Sequence, residues 1–142
     1  MSRRLGWMIL TLAVAAPLTA HADKPALTKE KAAEEAALAW LGQVDAGQYG
    51  ASWEGAASLF QAAVSKDQWA QMVAAVRTPL GKLKSRKLLT ATYTTSAPGA
   101  PDGHYVILKF AAVFSKKAAA VETVTPLIDK DGRWHVSGYF IK

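Results

Sequence analysis

The apolar residues of this chain change their period at Gly81. Before it they recur every three or four positions. After it they alternate. A 3.6-residue period places side chains on one stripe of a helix, and a two-residue period places them on one face of a strand. The chain is therefore expected to be helical first and sheet-forming second. Ala33, Ala36, Ala37, Trp40, Leu41 and Val44 form the first stripe. Thr28 opens that helix as a side-chain cap, and Gly47 stops it. A second stripe holds Tyr49, Trp53, Ala56, Ala57, Phe60 and Val64, weakened by Gly50 and Gly55. Ser65-Lys66-Asp67-Gln68 reads as a capping box. It opens a third helix with Trp69, Met72, Val73 and Val76 on one face, ended by Pro79 and Gly81.

Beyond Gly81 the alternation predicts four strands. Arg86 to Thr95 places Leu89, Ala91 and Tyr93 on one face. Ser96 to Gly103 is a loop rich in proline and glycine. His104 to Ser115, Ala118 to Ile128 and Arg133 to Ile141 follow, joined at Lys116-Lys117 and at Asp129-Lys130-Asp131-Gly132. The predicted fold is α+β, with three N-terminal helices packed on a curved four-stranded antiparallel sheet. The second strand is apolar on both faces: Val106, Leu108, Phe110 and Phe114 on one, Tyr105, Ile107, Ala111 and Val113 on the other. The last strand sets Trp134, Val136 and Phe140 opposite Tyr139 and Ile141. One helical layer covers only one face, so a homodimer through the sheet is expected.

Residues 1–22 read as a secretory signal peptide. Ser2-Arg3-Arg4 is the basic start, Leu5 to Leu18 the uncharged apolar run, and Ala20-His21-Ala22 the cleavage pattern. The run falls short of the roughly 20 apolar residues of a membrane span. Cleavage after Ala22 leaves residues 23–27 as a flexible leader and 28–142 as one domain, in the periplasm or secreted. It also removes Arg3 and Arg4, lowering the net charge from +6 to +4. The chain has no cysteine, which excludes thiol catalysis, thiolate zinc sites and disulfide staples. Lys82, Lys84, Arg86 and Lys87 are the one dense basic cluster, and they read either as a contact for an anionic partner or as a solvated connector guarding a sheet edge. No nucleic-acid motif accompanies them, so nucleic acid is not an expected partner.

The candidates for chemistry are few. Glu122 lies mid-strand among apolar residues, where an inward carboxylate must be paired. Arg77 and Arg86 are its expected partners, holding helices to sheet. Asp45 and Tyr49 flank Gly47 and form either a helix joint or a pocket rim. Trp53, with Trp40 and Trp69, fills the core or lines an aromatic pocket. Glu122, Asp45, Tyr49, Trp53, Arg77 and Arg86 are therefore the candidate ligand-binding residues. No residue is assigned as catalytic. His104 and His135 stand apart from any partner pattern. No metal motif, phosphate loop or nucleophile elbow is present, so no cofactor or metal is expected.

The order and spacing of these residues resemble a known family. The carrying fragments are Trp40-Leu41 with Asp45, Tyr49, Ser52-Trp53, Trp69, Arg77, Pro79-Leu80-Gly81 and Ser85-Arg86. Pro98-Gly99, Asp102-Gly103-x-Tyr105, Phe110 with Phe114, Glu122, and Asp131-Gly132-x-Trp134 with Gly138-Tyr139 complete them. Together they resemble the small exported bacterial proteins grouped as domain of unknown function 4019. The element order also resembles the cystatin-like cone of nuclear transport factor 2 and ketosteroid isomerase relatives. The resemblance implies a fold and a compartment and no mechanism. The expected function is a non-catalytic module binding a small ligand or an envelope protein. The alternatives are an isomerase or hydrolase using a pocket carboxylate, and a structural interaction module of the envelope.

Overall fold

The computed structural model describes residues 26–142. The signal peptide and most of the leader read from the sequence lie outside the described residues. Thr28 caps α1 (Lys29–Asp45) by accepting the Lys31 N–H at 3.1 Å. Ala33, Ala37, Trp40, Leu41 and Val44 are its buried stripe. The expected second helix is two helices, α2 (Tyr49–Glu54) and α3 (Ser58–Ala63), so the described residues hold four helices where three are predicted. The break has a cause in the sheet. The Ala57 N–H leaves the helical ladder and donates to the Val136 carbonyl at 2.8 Å. A weak helical run with Gly55 at the joint yields to that longer-range bond.

The capping box forms as predicted. Ser65 accepts from the Gln68 N–H, and Gln68 Oε1 accepts from the Ser65 N–H. It opens α4 (Lys66–Leu80), which runs through Pro79 rather than stopping there. A missing N–H in the last turn costs a single ladder bond, and the end falls at Gly81 with φ of 75°.

The sheet is a meander in the order β1-β2-β3-β4. The strands are β1 (Leu83–Thr94), β2 (Tyr105–Phe114), β3 (Lys117–Ile128) and β4 (Trp134–Ile141), all antiparallel. The sheet has four register shifts, and two of them, bulges in β1 and β4, overturn the simple alternation. In β1, Leu88 pairs with Phe110 and Thr90 with Lys109, so Leu89 is the extra residue. It is 53% exposed and does not join Ala91 and Tyr93 as predicted. In β4, Gly138 pairs with Thr125 and Val136 with Pro126, so Ser137 is extra. Pro126 has no N–H to give the ladder, and irregular pairing is where a strand tolerates it. Each bulge moves every later side chain to the opposite face. Val136 and Tyr139 therefore share the helix-facing side, while Phe140 turns outward, contrary to the predicted grouping.

The core lies between the helices and this face. Trp40, Phe60, Trp69 and Tyr139 pack at its centre, edge to face except for the tilted Trp40–Trp69 pair, with centroids 4.8 to 6.4 Å apart. The indole N–H groups of Trp40 and Trp69 both end on Ser52, one on its carbonyl at 2.8 Å and one on its hydroxyl at 2.9 Å. Those bonds fix α2 between α1 and α4. On the opposite face, the loop after β1 curls back, and the Tyr105 hydroxyl donates to the Pro101 carbonyl at 2.6 Å. Tyr105 is thereby buried by its own chain.

Candidate functional site

Four of the six candidate residues meet in one charged network beneath the helices. Arg86 stands on the helix-facing side of β1, opposite Ala112, which in turn is opposite Ala120. Two alanines leave room for a guanidinium to cross β2 and reach Glu122 on β3. Arg86 Nε donates to Glu122 Oε1 at 2.6 Å, and Nη2 donates to Oε2 at 3.1 Å. The Tyr139 hydroxyl donates to Oε2 at 2.6 Å. Glu122 is 0% exposed, so three donors offset the water it has lost.

Arg86 also binds Asp45, the last residue of α1, through Nη1 at 2.8 Å and Nη2 at 3.0 Å. Arg77 on α4 donates to the same carboxylate through Nη2 at 2.8 Å. The predicted partner Arg77 thus reaches Asp45 rather than Glu122. Two carboxylates face two guanidiniums and the cluster is neutral. Burial opposes the charge on Asp45, but hydrogen bonds and charge from Arg86 and then Arg77 outweigh it and lower its pKa. Burial likewise opposes the Arg86 charge, and Asp45 and Glu122 more than restore it. Burial, reinforced by the Glu122 charge, pushes the Tyr139 phenol up, so it stays a donor.

Arg77 is the unbalanced member. It is 5% exposed, yet Nε and Nη1 have no hydrogen-bond partner. The Phe114 ring, 4.9 Å from its guanidinium carbon, offers partial compensation. A buried donor left unpaired costs about 1–3 kcal/mol. A pocket of about 470 Å³ opens beside it, lined by Arg77 with Asp45, Tyr49, Thr78 and Lys82 among others. Tyr49 thus belongs to the pocket and also packs on the core.

Trp53 lies outside this group. Its indole N–H donates to the Val64 carbonyl at 2.8 Å, tying α2 to the end of α3. His104 bonds the Tyr93 hydroxyl. His135 bonds Asp131 at 2.7 Å and the Gly55 carbonyl at 3.0 Å, away from the network. Among the described residues, no group of three or more His, Asp or Glu side chains is arranged to hold a metal. No helix among them is long and apolar enough to cross a membrane. Sequence reasoning missed Tyr139 and Ser52. Pro126 in a central strand was the available sign of the bulge that turns Tyr139 inward. Ser52 carries no comparable sign.

No curated protein and no solved structure matches the chain. A family profile described as "Protein of unknown function (DUF4019)" matches residues 36–139. That span takes in every member of the charged network, from Asp45 to Tyr139, and most of the chain. The chain therefore belongs to the DUF4019 family.

Proposed function

We propose that this protein is an exported, non-catalytic binding domain whose pocket takes a small ligand bearing an anionic or acceptor group. The observation that carries the reading is Arg77. It is a buried guanidinium with two unused donors, on the wall of a pocket that also holds Tyr49 and Lys82. A ligand oxygen is the natural complement to such a group, and reaching Nε and Nη1, which have no accessible surface, requires the pocket wall to shift. The carboxylates support binding rather than chemistry. Glu122 is fully buried and engaged by three donors, and Asp45 is held by both arginines. A general base needs a free lone pair within reach of a substrate proton. The two bulges favour a curled sheet, which supports the cone expected from the family resemblance.

The test is calorimetric titration with acetate, succinate and phosphate, paired with amide chemical shifts. Binding with shifts at Tyr49, Thr78 and Lys82, weakened at least fivefold in Lys82→Ala, is expected. Silence from all three anions with no shift at those amides would overturn the reading. Export rests on the leader at 1–22. N-terminal sequencing of the fractionated protein is expected to begin at Asp23, and a protein retaining Met1 in the cytoplasm would refute it. The filled aromatic interior favours a second reading, a structural interaction module of the envelope. That reading predicts no response to any small ligand.

A further inference from the structure

Strand β4 ends the sheet order, so one side of its backbone has no strand beside it. Lys142 and Val121 exchange N–H···O bonds in both directions, each at 3.0 Å. Antiparallel pairing alternates from there, so Phe140 and Gly138 bond toward β3. The N–H and C=O groups of Tyr139 and Ile141 then point to the open side. Among the described residues, the backbone bond made to that side is the one from Ala57 to Val136. The edge from Ser137 to Ile141 is bare.

Helix α4 runs beside this edge and is unusual in what it exposes. Every exposed residue of α4 from Gln68 to Pro79 is uncharged. Met72 is 58% exposed and Val76 49%, one helical turn apart. Phe140, 51% exposed, stands on β4 across a shallow groove of about 170 Å³ that Met72 and Val76 also line. Loss of charge with retention of large apolar side chains is the compositional mark of an interface centre. The lengths agree as well. Twelve helical residues span about 18 Å and five strand residues about 17 Å.

We infer that this face joins a second copy of the chain, β4 to β4 and α4 to α4 about a twofold axis at Phe140. The dyad pairs Tyr139 with Ile141 of the second copy, and Ile141 with its Tyr139, which makes four backbone hydrogen bonds. Phe140 meets its own counterpart as a close, non-hydrogen-bonded pair. The same axis sets Met72 and Val76 against the matching stripe. A lone extended peptide would pair the edge and leave the uncharged stripe in water, whereas a second copy covers both. The edge is thereby removed as a site of uncontrolled pairing. This interface is distinct from a dimer through the sheet face, and it does not depend on the ligand pocket.

The purified protein is tested by sedimentation velocity from about 1 to about 300 µM, where a modest interface associates. The expected result is a monomer–dimer equilibrium. The double variant Met72→Lys, Val76→Lys and the separate variant Phe140→Asp are each expected to weaken it at least tenfold. All three positions are exposed, so circular dichroism should stay native. Hydrogen exchange at the Tyr139 and Ile141 amides is expected to slow as concentration rises. A monomer at every concentration would overturn the inference. So would a dimer that both variants leave intact, or edge amides that exchange equally fast at low and high concentration.

Discussion

Replacing Glu122 by glutamine tests the central claim about what holds the two layers together. Glutamine keeps the shape and one acceptor oxygen but loses the charge. It also sets an NH₂ group against a donor, because three donors converge on the native carboxylate. Breaking a buried ion pair by removing one partner costs about 3–5 kcal/mol. Asp45 still gives Arg86 two bonds, so the guanidinium is not abandoned and the lower bound applies. The expected loss is about 3 kcal/mol. For a domain of this size that is a fall of about 12 °C in Tm. With an m value near 1.5 kcal/mol/M, the urea midpoint drops by about 2 M. Trp40 and Trp69 are buried, and their fluorescence reports the transition. Arg86→Gln should cost a similar amount, and the double variant clearly less than the sum, because the pair shares its bonds. A midpoint shift in Glu122→Gln below about 0.5 M at unchanged m would refute the claim that the network stabilises the fold.

Three further outcomes are expected. Ser52→Ala removes the acceptor for the Trp69 indole and should cost about 1–3 kcal/mol, read as an earlier urea midpoint; an unchanged midpoint would show that the Ser52 hydroxyl does not help to anchor α2. Gly81→Ala sets a Cβ 2.0 Å from the Ser115 hydroxyl at positive φ and should cost about 2 kcal/mol or more. Gly99→Ala, at φ of 73° with open space around it, should lose only about 1 kcal/mol, so equal losses would contradict the clash. The lowered pKa of Asp45 adds stability that is fully present above its unfolded value, near 3.9, and is lost as pH falls through the lower folded value. Asp45→Asn should therefore flatten the decline of stability below about pH 4, and an unaltered acid transition would show that Asp45 does not drive it.

The elements that were legible in the sequence are those governed by neighbours within a few residues. Thr28 and the Ser65–Gln68 box announced two helix starts, and the turn at Asp129 announced a hairpin. The pairing of Glu122 with Arg86 was legible too, because a charge amid apolar strand residues demands a partner. What stayed hidden depends on the sheet as a whole. The split between α2 and α3 requires the Val136 carbonyl, which lies 79 residues from Ala57. Counting by twos assumes an uninterrupted ladder, so it groups Leu89 with Ala91 and Tyr93 and sets Tyr139 on the face opposite Val136. The partner of Arg77 was misassigned for a related reason. Which carboxylate it meets depends on how α4 lies against α1, and no local pattern encodes that angle.

The connectivity of the sheet bears on the order in which the molecule assembles. Each strand pairs with its neighbour in sequence, so the sheet can grow as a chain of hairpins with little loop closure at any step. The charged network is built from separations of 17, 32, 36 and 41 residues, and two of its members, Asp45 and Arg77, arrive on helices. If the helical layer closes over a sheet already formed, the charges of Asp45 and Arg77 join the network last. A late step of this kind makes the network a brake on unfolding rather than an aid to nucleation. Weakening it should steepen the rate of opening and leave the rate of folding nearly unchanged, and a slowed folding arm in stopped-flow kinetics would place the helices first.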